Sequence, residues 1–367
     1  MTLHIDIHVL QSVPPSNLNR DDTGSPKTAT YGGVRRARVS SQAWKRATRR
    51  DFSQYLDLRQ LGVRTKRAVE LLSSRIQGLS GLDGARSSEL AQSALEAAGL
   101  KVKAGRKAKD GDQPLTEYLV FFSHLQLDRL AEVAVQSPEK VDPKAAKAAL
   151  SHEHSVDVAL FGRMVADDAN LNVDAACQVA HAISTHAVST EFDYYTAVDD
   201  QNPAEETGAG MIGTIEFDSA TLYRYATINV DALNRNLGDP EATTQAVEAF
   251  VRSFATSMPT GKQNTFANRT VPDAVVVMVR EGRPVNLVGA FEEPVRGADG
   301  YVAASCEALA AYASEVDAAF GGGPTDVWIT RVGRRTDAVA ALGKTLPLDD
   351  LVRRVGERTR AAATEQP

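Results

Sequence analysis

Leu3, Ile5, Ile7 and Val9 alternate with His4, Asp6 and His8 at the start of the chain. A period of two predicts a strand over 3–9 with one buried and one open face. The polar trio is expected on the open face, in water. The alternation then breaks. Residues 11–33 (QSVPPSNLNRDDTGSPKTATYGG) are rich in Pro, Gly, Ser, Asn and Asp, which predicts a loop longer than most connections inside a compact domain. Gly32-Gly33 closes it with a permissive backbone. In VRRARV (34–39), Val34, Arg36 and Arg38 alternate with Arg35, Ala37 and Val39, as in an edge strand with a basic open face. Ser40 or Ser41 then supplies a helix N-cap. From there to Tyr55 the period lengthens: Trp44, Thr48, Phe52 and Tyr55 form one stripe, and Lys45, Arg46, Arg49 and Arg50 the opposite one.

Residues 60–177 read as a mainly helical region, with helices near 65–78, 86–98, 114–136 and 142–150. A basic linker, KVKAGRKAKDGD (101–112), interrupts it, and Lys140, Lys144 and Lys147 fall near one face. A further helix is predicted over 173–183. The chain then turns β-rich. Residues 186–198 and 211–231 flank the acidic, turn-forming stretch 199–210, which predicts a long β-hairpin with Tyr194, Tyr195 and Val198 near its base. The remainder alternates: helix 240–257, strands 274–280 and 285–291, helix 301–319, strand 326–331 and helix 348–363. This succession predicts an α+β sandwich with helices on one face of an antiparallel sheet.

Composition narrows the class. The chain has 367 residues, 43% of them hydrophobic and 24% charged, as in soluble globular proteins. No run of 18 apolar residues predicts a membrane helix, and no signal peptide is expected at the N-terminus. Cys177 and Cys306 stand far apart, so neither a disulfide framework nor a cysteine-based zinc site is expected, and a cytoplasmic location fits. Charge is unevenly spread. Residues 20–67 hold thirteen Lys/Arg against four Asp/Glu, so this segment carries +9 in a chain of net charge −6. An acidic protein with its cations gathered in one stretch has a place for a polyanion.

Motifs for other chemistries are absent. There is no GxSxG, catalytic cysteine motif or Rossmann fingerprint, and Gly261-Lys262 lacks the P-loop spacing. His152-x-His154 has no third spaced ligand, and His181 and His186 are expected to be structural. The acid pairs Asp21-Asp22, Asp167-Asp168 and Asp199-Asp200 would serve a two-metal nuclease only if carboxylates converged in space. What the chain does offer is Arg and Lys for phosphates, Ser and Gln as donors, and glycines for close approach. Such groups position a nucleic-acid backbone without reading its bases.

The run IHVLQSVPPSNLNRDDTGSPKTATYGGVRRARVSSQAWKRATRR (7–50) resembles the start of the CasC family, the repeated backbone subunit of the type I-E CRISPR surveillance complex Cascade. DVALFGRM (157–164), FDYYTAVDD (192–200), TGAGMIGTIEF (207–217), LYRYATINVD (222–231) and GKQN (261–264) extend the match in order. The resemblance implies an α+β protein with a modified RRM/ferredoxin-like palm, a helical fingers insertion and a β-hairpin thumb. The palm would comprise 1–58, 178–191 and 217–367, the fingers 59–177 and the thumb 192–216. It implies a non-enzymatic scaffold without cofactor, repeated along the spacer of a CRISPR RNA (crRNA). That RNA then pairs with target DNA, so base pairing supplies the specificity. The implied partners are the crRNA, the target strand through it, further copies of the chain, other Cascade subunits, and an effector nuclease-helicase reached through the assembled complex. Carried over by motif, Arg20, Lys27, Ser40, Gln42, Lys45, Arg46 and Arg49 would hold RNA phosphates and sugars. Asp22 would order the loop or touch a ribose hydroxyl. Met164 would wedge against bases, Tyr195, Thr196 and Val198 would act beside a displaced base, and Lys262 would add a phosphate contact. The alternative is a metal-dependent ribonuclease using Asp21 or Asp22. The stretches 101–112 and 140–147 match no motif, and weak duplex-DNA contact is the expectation for them.

Overall fold

The computed structural model describes residues 2–103, 113–165, 168–197 and 211–365. In chain order the strands are β1 (Leu3–Ser16), β2 (Thr28–Tyr31), β3 (Val34–Val39), β4 (Gly62–Thr65), β5 (Val102–Lys103), β6 (Leu115–Thr116), β7 (Val120–Ser123), β8 (Cys177–Val179), β9 (Ala182–Ser184), β10 (Glu191–Ala197), β11 (Met211–Asn229), β12 (Ala274–Glu281), β13 (Asp326–Arg331) and β14 (Lys344–Thr345). The helices are α1 (Ser41–Asp51), α2 (Ala68–Ser80), α3 (Gly84–Ala97), α4 (His124–Gln136), α5 (Pro143–Ser151), α6 (Val156–Phe161), α7 (Val230–Leu237), α8 (Pro240–Thr256), α9 (Gln263–Phe266), α10 (Val302–Phe320) and α11 (Leu348–Thr364). Two compact units result: one of 1–51, 179–227 and 250–355, the other of 52–178, 228–249 and 356–367.

The first unit is a mixed α/β structure on a mostly antiparallel sheet, ordered β14-β13-β12-β1-β11-β9-β3-β2, with β10 paired to β11. At its centre β1 pairs antiparallel with β12 from Leu3↔Glu281 to Leu10↔Ala274. That pairing ends before Pro14 and Pro15, whose missing N–H groups would break the ladder. The strand therefore runs on through part of the expected 11–33 loop, and β2 occupies more of it. Adjacent strand residues point to opposite faces. Tyr223 and Tyr225 of β11 join Leu10, Val276, Met278 and the α10 residues Val302, Cys306 and Leu309 in one apolar cluster. Arg224, between them, points the other way, onto Trp44 of α1 and Phe254 of α8. Helices thus cover both faces, where the sequence pattern predicted one. AVVVMV in β12 is buried throughout, as expected of a strand covered on both sides.

Three other expectations change, each for its own reason. His4, Asp6 and His8 are buried, because their face lies on the α10 side. Tyr225 Oη donates to Asp6 Oδ1 at 2.9 Å, Val285 N donates to Asp6 Oδ2 at 2.8 Å, and Arg280 Nε lies 3.5 Å from that oxygen. His8 Nδ1 is 2.9 Å from Tyr223 Oη. Burial pushes the His8 pKa down to about 3, helped by Arg280, and raises that of Asp6. The predicted helix over 173–183 is instead β8 and β9. There Ile183 pairs with Tyr223 of β11 and with Arg38 of β3, and an interior sheet position overrides alanine's helical preference. The predicted strand over 285–291 is a 3-10 turn over Leu287–Phe291, started by Asn286, which accepts from Val288 N.

The second unit packs α2 to α5 around Leu72, Ile76, Leu90, Leu95, Leu127 and Leu130. Two of its helices start on acidic caps: Asp83 accepts from Arg86 N at α3, and Asp142 accepts from Lys144 N before a proline in the first turn of α5. The predicted 114–136 helix begins only at His124. Ser123 and Gln126 form a capping box there, and 120–123 is a strand paired to β4.

Candidate nucleic-acid interface

The β2–β3 hairpin turns at Gly32 and Gly33, with φ of +58° and +75°, the pair of positive values a two-residue type I′ turn needs. A Cβ on Gly32 would lie 1.7 Å from the Glu292 carbonyl oxygen, so the hairpin tip is seated on that backbone. Arg36 secures the seat, donating to the carbonyls of Tyr31, Ser184, Phe291 and Glu292. It is fully buried, and β3 lies between β2 and β9. The expected basic edge strand is therefore corrected: Arg36 is structural and Arg35 is the exposed cation.

Ser40 caps α1, its Oγ accepting from Ala43 N at 3.4 Å while its own N–H donates to Asn19 Oδ1 at 2.9 Å. Trp44, Thr48 and Asp51 form the buried side of the helix. Gln42, Lys45, Arg46 and Arg49 follow at i, i+3, i+4 and i+7 and share one flank. Gln42 and Arg46 are exposed, while Lys45 and Arg49 are half-buried. The apolar stripe stops at Phe52, since the helix gives way to a 3-10 turn and Tyr55 is exposed. Beneath α1 the Arg224 guanidinium lies 3.7 Å from the Trp44 ring centre and 4.5 Å from that of Phe254. It donates to Gln11 Oε1 at 2.6 Å and to the Phe254 carbonyl. Burial lowers its pKa to about 9.

The loop before β2 folds on itself. Asp21 Oδ1 accepts from Thr23 N, Thr23 Oγ1 and Ser25 N, and these bonds hold its carboxyl below the usual range. Arg20 and Asp22 are exposed, and both line an open concavity formed by residues 18–24 with Gly261. Lys27 and Arg38 line a second concavity opposite Asp218, whose pKa burial raises to about 6. Gly261 lets the 258–263 turn press against the loop: a Cβ there would meet the Leu18 carbonyl oxygen at 2.2 Å. Lys262 follows in the left-handed region, at φ +49°.

The β10–β11 hairpin base joins the same assembly. Asn17 Nδ2 donates to the carbonyls of Gly24 and Glu216, and Phe217 packs on Phe266 of α9 with ring centres 5.7 Å apart. Tyr195 lies across Gly213, where a Cβ would sit 2.4 Å from its hydroxyl. Tyr195 and Thr196 are neighbours on a strand, so they face opposite sides. Thr196 shares its side with Phe192, Tyr194 and Ile212, each about two-thirds exposed. Val198 lies outside the described residues. Met164 belongs to the second unit, where it is 82% exposed above the buried Arg163. The structure thus gathers Arg20, Asp22, Lys27, Ser40, the α1 flank, Lys262 and the base of the β10–β11 hairpin in one unit. Sequence reasoning passed over Asn17, Asn19 and Arg224. LYRYA gave a signal for the last, a charge inside an aromatic strand. Among the described residues no three His, Cys, Asp or Glu side chains are grouped as a metal ion requires, and no helix is long and apolar enough to cross a membrane.

Fold and site together define a mixed α/β protein whose sheet carries a cationic helix, a self-bonded loop of mixed charge and a long β-hairpin in one unit. A family model of CT1975-like proteins, a Cas family, matches residues 5–354, and the chain belongs to that family. It is similar, at 35% identity and a TM-score of 0.84, to a chain of a solved "CRISPR RNA-guided surveillance complex, pre-nicking", with 96% of this chain and 100% of that one covered. A second such chain, from a "CRISPR RNA-guided surveillance complex", matches at 30% identity and a TM-score of 0.75, with 96% and 99% covered. No curated protein matches the chain.

Proposed function

We propose that this chain is a non-enzymatic, crRNA-binding backbone subunit of a type I-E surveillance complex, repeated along the spacer in the cytoplasm. The observation that carries the reading is the convergence on one unit of the α1 flank, the 17–27 loop, the 258–266 turn and the hairpin base. Two features support an RRM-like palm. The elements β1-α1-β9-β11-α8-β12 follow the β-α-β-β-α-β order of ferredoxin-like folds, and their strands lie side by side as β12-β1-β11-β9. RNA-recognition folds stack bases on aromatic residues of the open sheet face. Here Tyr223 and Tyr225 are buried against α10, which leaves backbone contacts at the rim as the mode of binding. The exposed apolar side of the thumb, with Phe192, Tyr194 and Ile212, suits contact with the next copy. On this reading the exposed Met164 would meet bases from the fingers, and Tyr195 and Thr196 would act from opposite sides of the thumb. Other Cascade subunits, the target strand and the effector nuclease-helicase join through the assembled complex.

Lys45→Ala with Arg49→Ala tests the reading. Each phosphate contact to a single strand contributes about 0.7 to the slope of log affinity against log salt. The double variant should bind guide RNA more weakly at every spacer sequence, with the slope reduced by about 1.4. Loss confined to particular spacers would refute backbone-only recognition. The ribonuclease alternative predicts Mg²⁺-dependent cleavage of complementary RNA by the assembled complex, abolished by Asp22→Ala. Asp22 is the acid to test, because Asp21 is engaged in its own turn.

A further inference from the structure

Residues 163–165 of the second unit alternate as a strand does. Arg163 and Val165 are buried, and Met164 between them is, among the described residues, the most exposed large apolar side chain. Arg163 exchanges backbone bonds with Val173, its N–H donating at 2.9 Å and its carbonyl accepting at 2.8 Å. That bridge sets Met164 opposite Asn172, which is also exposed. Gly162 makes the close approach possible. At its φ of +78° a Cβ would lie 2.9 Å from the Val173 carbonyl oxygen and 3.1 Å from Ala175 N, so the chain leaves α6 through a turn that glycine alone fits.

Both neighbours of Met164 are tied down. The Arg163 guanidinium donates from Nε to the Leu171 carbonyl at 2.7 Å, from Nη2 to the Leu150 carbonyl at 2.8 Å and from Nη1 to Gln126 Oε1 at 3.0 Å. It thereby joins the segment to the start of α4 and the last turn of α5. Gln126 is itself held, since it closes the capping box of α4. Burial lowers the Arg163 pKa to about 10, which leaves it charged at neutral pH, and its bonds are charge-assisted. On the other side Val165 N donates to Asn172 Oδ1 at 2.7 Å. In a continued antiparallel ladder that N–H would go to the Leu171 carbonyl, where Arg163 Nε donates instead.

We propose that Arg163 and Asn172 are positioning residues that hold Met164 outward as a fixed wedge between neighbouring bases of a bound RNA strand. Methionine is unbranched and flexible, so its direction must come from the backbone beneath it. Parting stacked bases costs free energy at each step, and an apolar side chain on a yielding segment would fold back onto the protein instead. Burying a guanidinium is costly where an apolar residue could fill the space. What its bonds add at 163 is a fixed direction for the next residue, and the Asn172 bond to Val165 fixes the far side. The inference rests on the RNA-binding function proposed above and adds the residues that make a contact at Met164 effective.

The test places 2-aminopurine, a base that brightens when unstacked, at successive spacer positions of a guide RNA, with the full chain saturating. Met164→Ala identifies the positions whose signal depends on the wedge. There Asn172→Ala, an exposed change that removes one hydrogen bond, should lower the ratio of unstacked to stacked base by up to about fivefold, with the melting temperature in place. Asn172→Asp keeps the acceptor and should restore the signal. Arg163→Lys keeps the charge but loses the planar fork, and should dim the same positions. The proposal is overturned if Asn172→Ala or Arg163→Lys leaves the Met164-dependent signal intact. It is also overturned if Asn172→Asp fails to restore that signal, or if Asn172→Ala dims it only with a lowered melting temperature. If Met164→Ala matches the parent at every position, the base contact itself is refuted and the inference with it. A parent that binds no guide RNA refutes the function proposed above, an outcome separate from all of these.

Discussion

Replacing Arg224 with Met should loosen the helix that presents Lys45, Arg46 and Arg49, though Arg224 lies beneath that helix. A desolvated guanidinium on an aromatic face is worth about 2 kcal/mol or more, and this one meets both Trp44 and Phe254. Its bonds to Gln11 Oε1 and the Phe254 carbonyl are charge-assisted, about 1.5–3 kcal/mol each. The second also caps a carbonyl in the last turn of α8, where helix carbonyls lack partners and a cation is favoured. Against these stands the cost of burying a charge, several kcal/mol. Methionine fills the stem's volume but leaves both acceptors without this donor, at about 1–3 kcal/mol each. A net loss of about 2–4 kcal/mol is expected by urea denaturation. In a double-mutant cycle with Trp44→Leu, the coupling should be at least about 1 kcal/mol. Arg224→Lys should restore little, since ammonium lacks the planar, two-pronged geometry. RNA affinity should fall in the Met variant as α1 loses its seat. Additive effects in the cycle, or a Met variant as stable as the parent, would refute the view that this stack anchors α1.

Two further outcomes follow from the geometry. Gly32→Ala combines a positive φ with a Cβ 1.7 Å from the Glu292 carbonyl oxygen. It should destabilise by about 2 kcal/mol or more, read as a drop in melting temperature, whereas Gly33→Ala, which meets no neighbour, should lose less. Stability should also fall on acidification between about pH 6.5 and pH 3. In that window the unfolded chain protonates His8, while in the fold it stays neutral down to about 3. His154, lowered to about 4 by burial, acts in the same direction. Asp6, raised by burial, acts oppositely at the acid end. His8→Phe should flatten the dependence, and an unchanged pH profile in that variant would remove His8 as its source.

The legible parts of the molecule were those where a local period matched the final environment. Trp44 and Thr48 identified the buried side of α1, and VRRARV marked a strand after the paired glycines, although its hairpin partner β2 was read as loop. What sequence could not supply was the partner on the second face. The alternation in 3–9 implies an open side, and only α10, three hundred residues later, closes it over His4, Asp6 and His8. Arg36 misled for a related reason: four carbonyls, three of them from distant segments, replace its water. Other signals were present and outweighed. S-x-x-Q at 123–126 marks the true start of α4, and the unbroken apolar run of β12 signals cover on both sides. At the candidate site, sequence found the charges, while the asparagines that tie loop, helix and hairpin together carried no pattern of their own.

The helix α10 sealed over the sheet has a consequence for inheritance. On the proposed reading, a guide of any composition meets the same sheet face, because Tyr223 and Tyr225, the sheet rings that might favour one base over another, are shut inside. A newly acquired spacer therefore needs no accommodating change in this polypeptide. The repertoire of recognised targets can be rewritten entirely in nucleic acid, while the protein that carries it need keep only its fold, its assembly and its contacts to the RNA backbone.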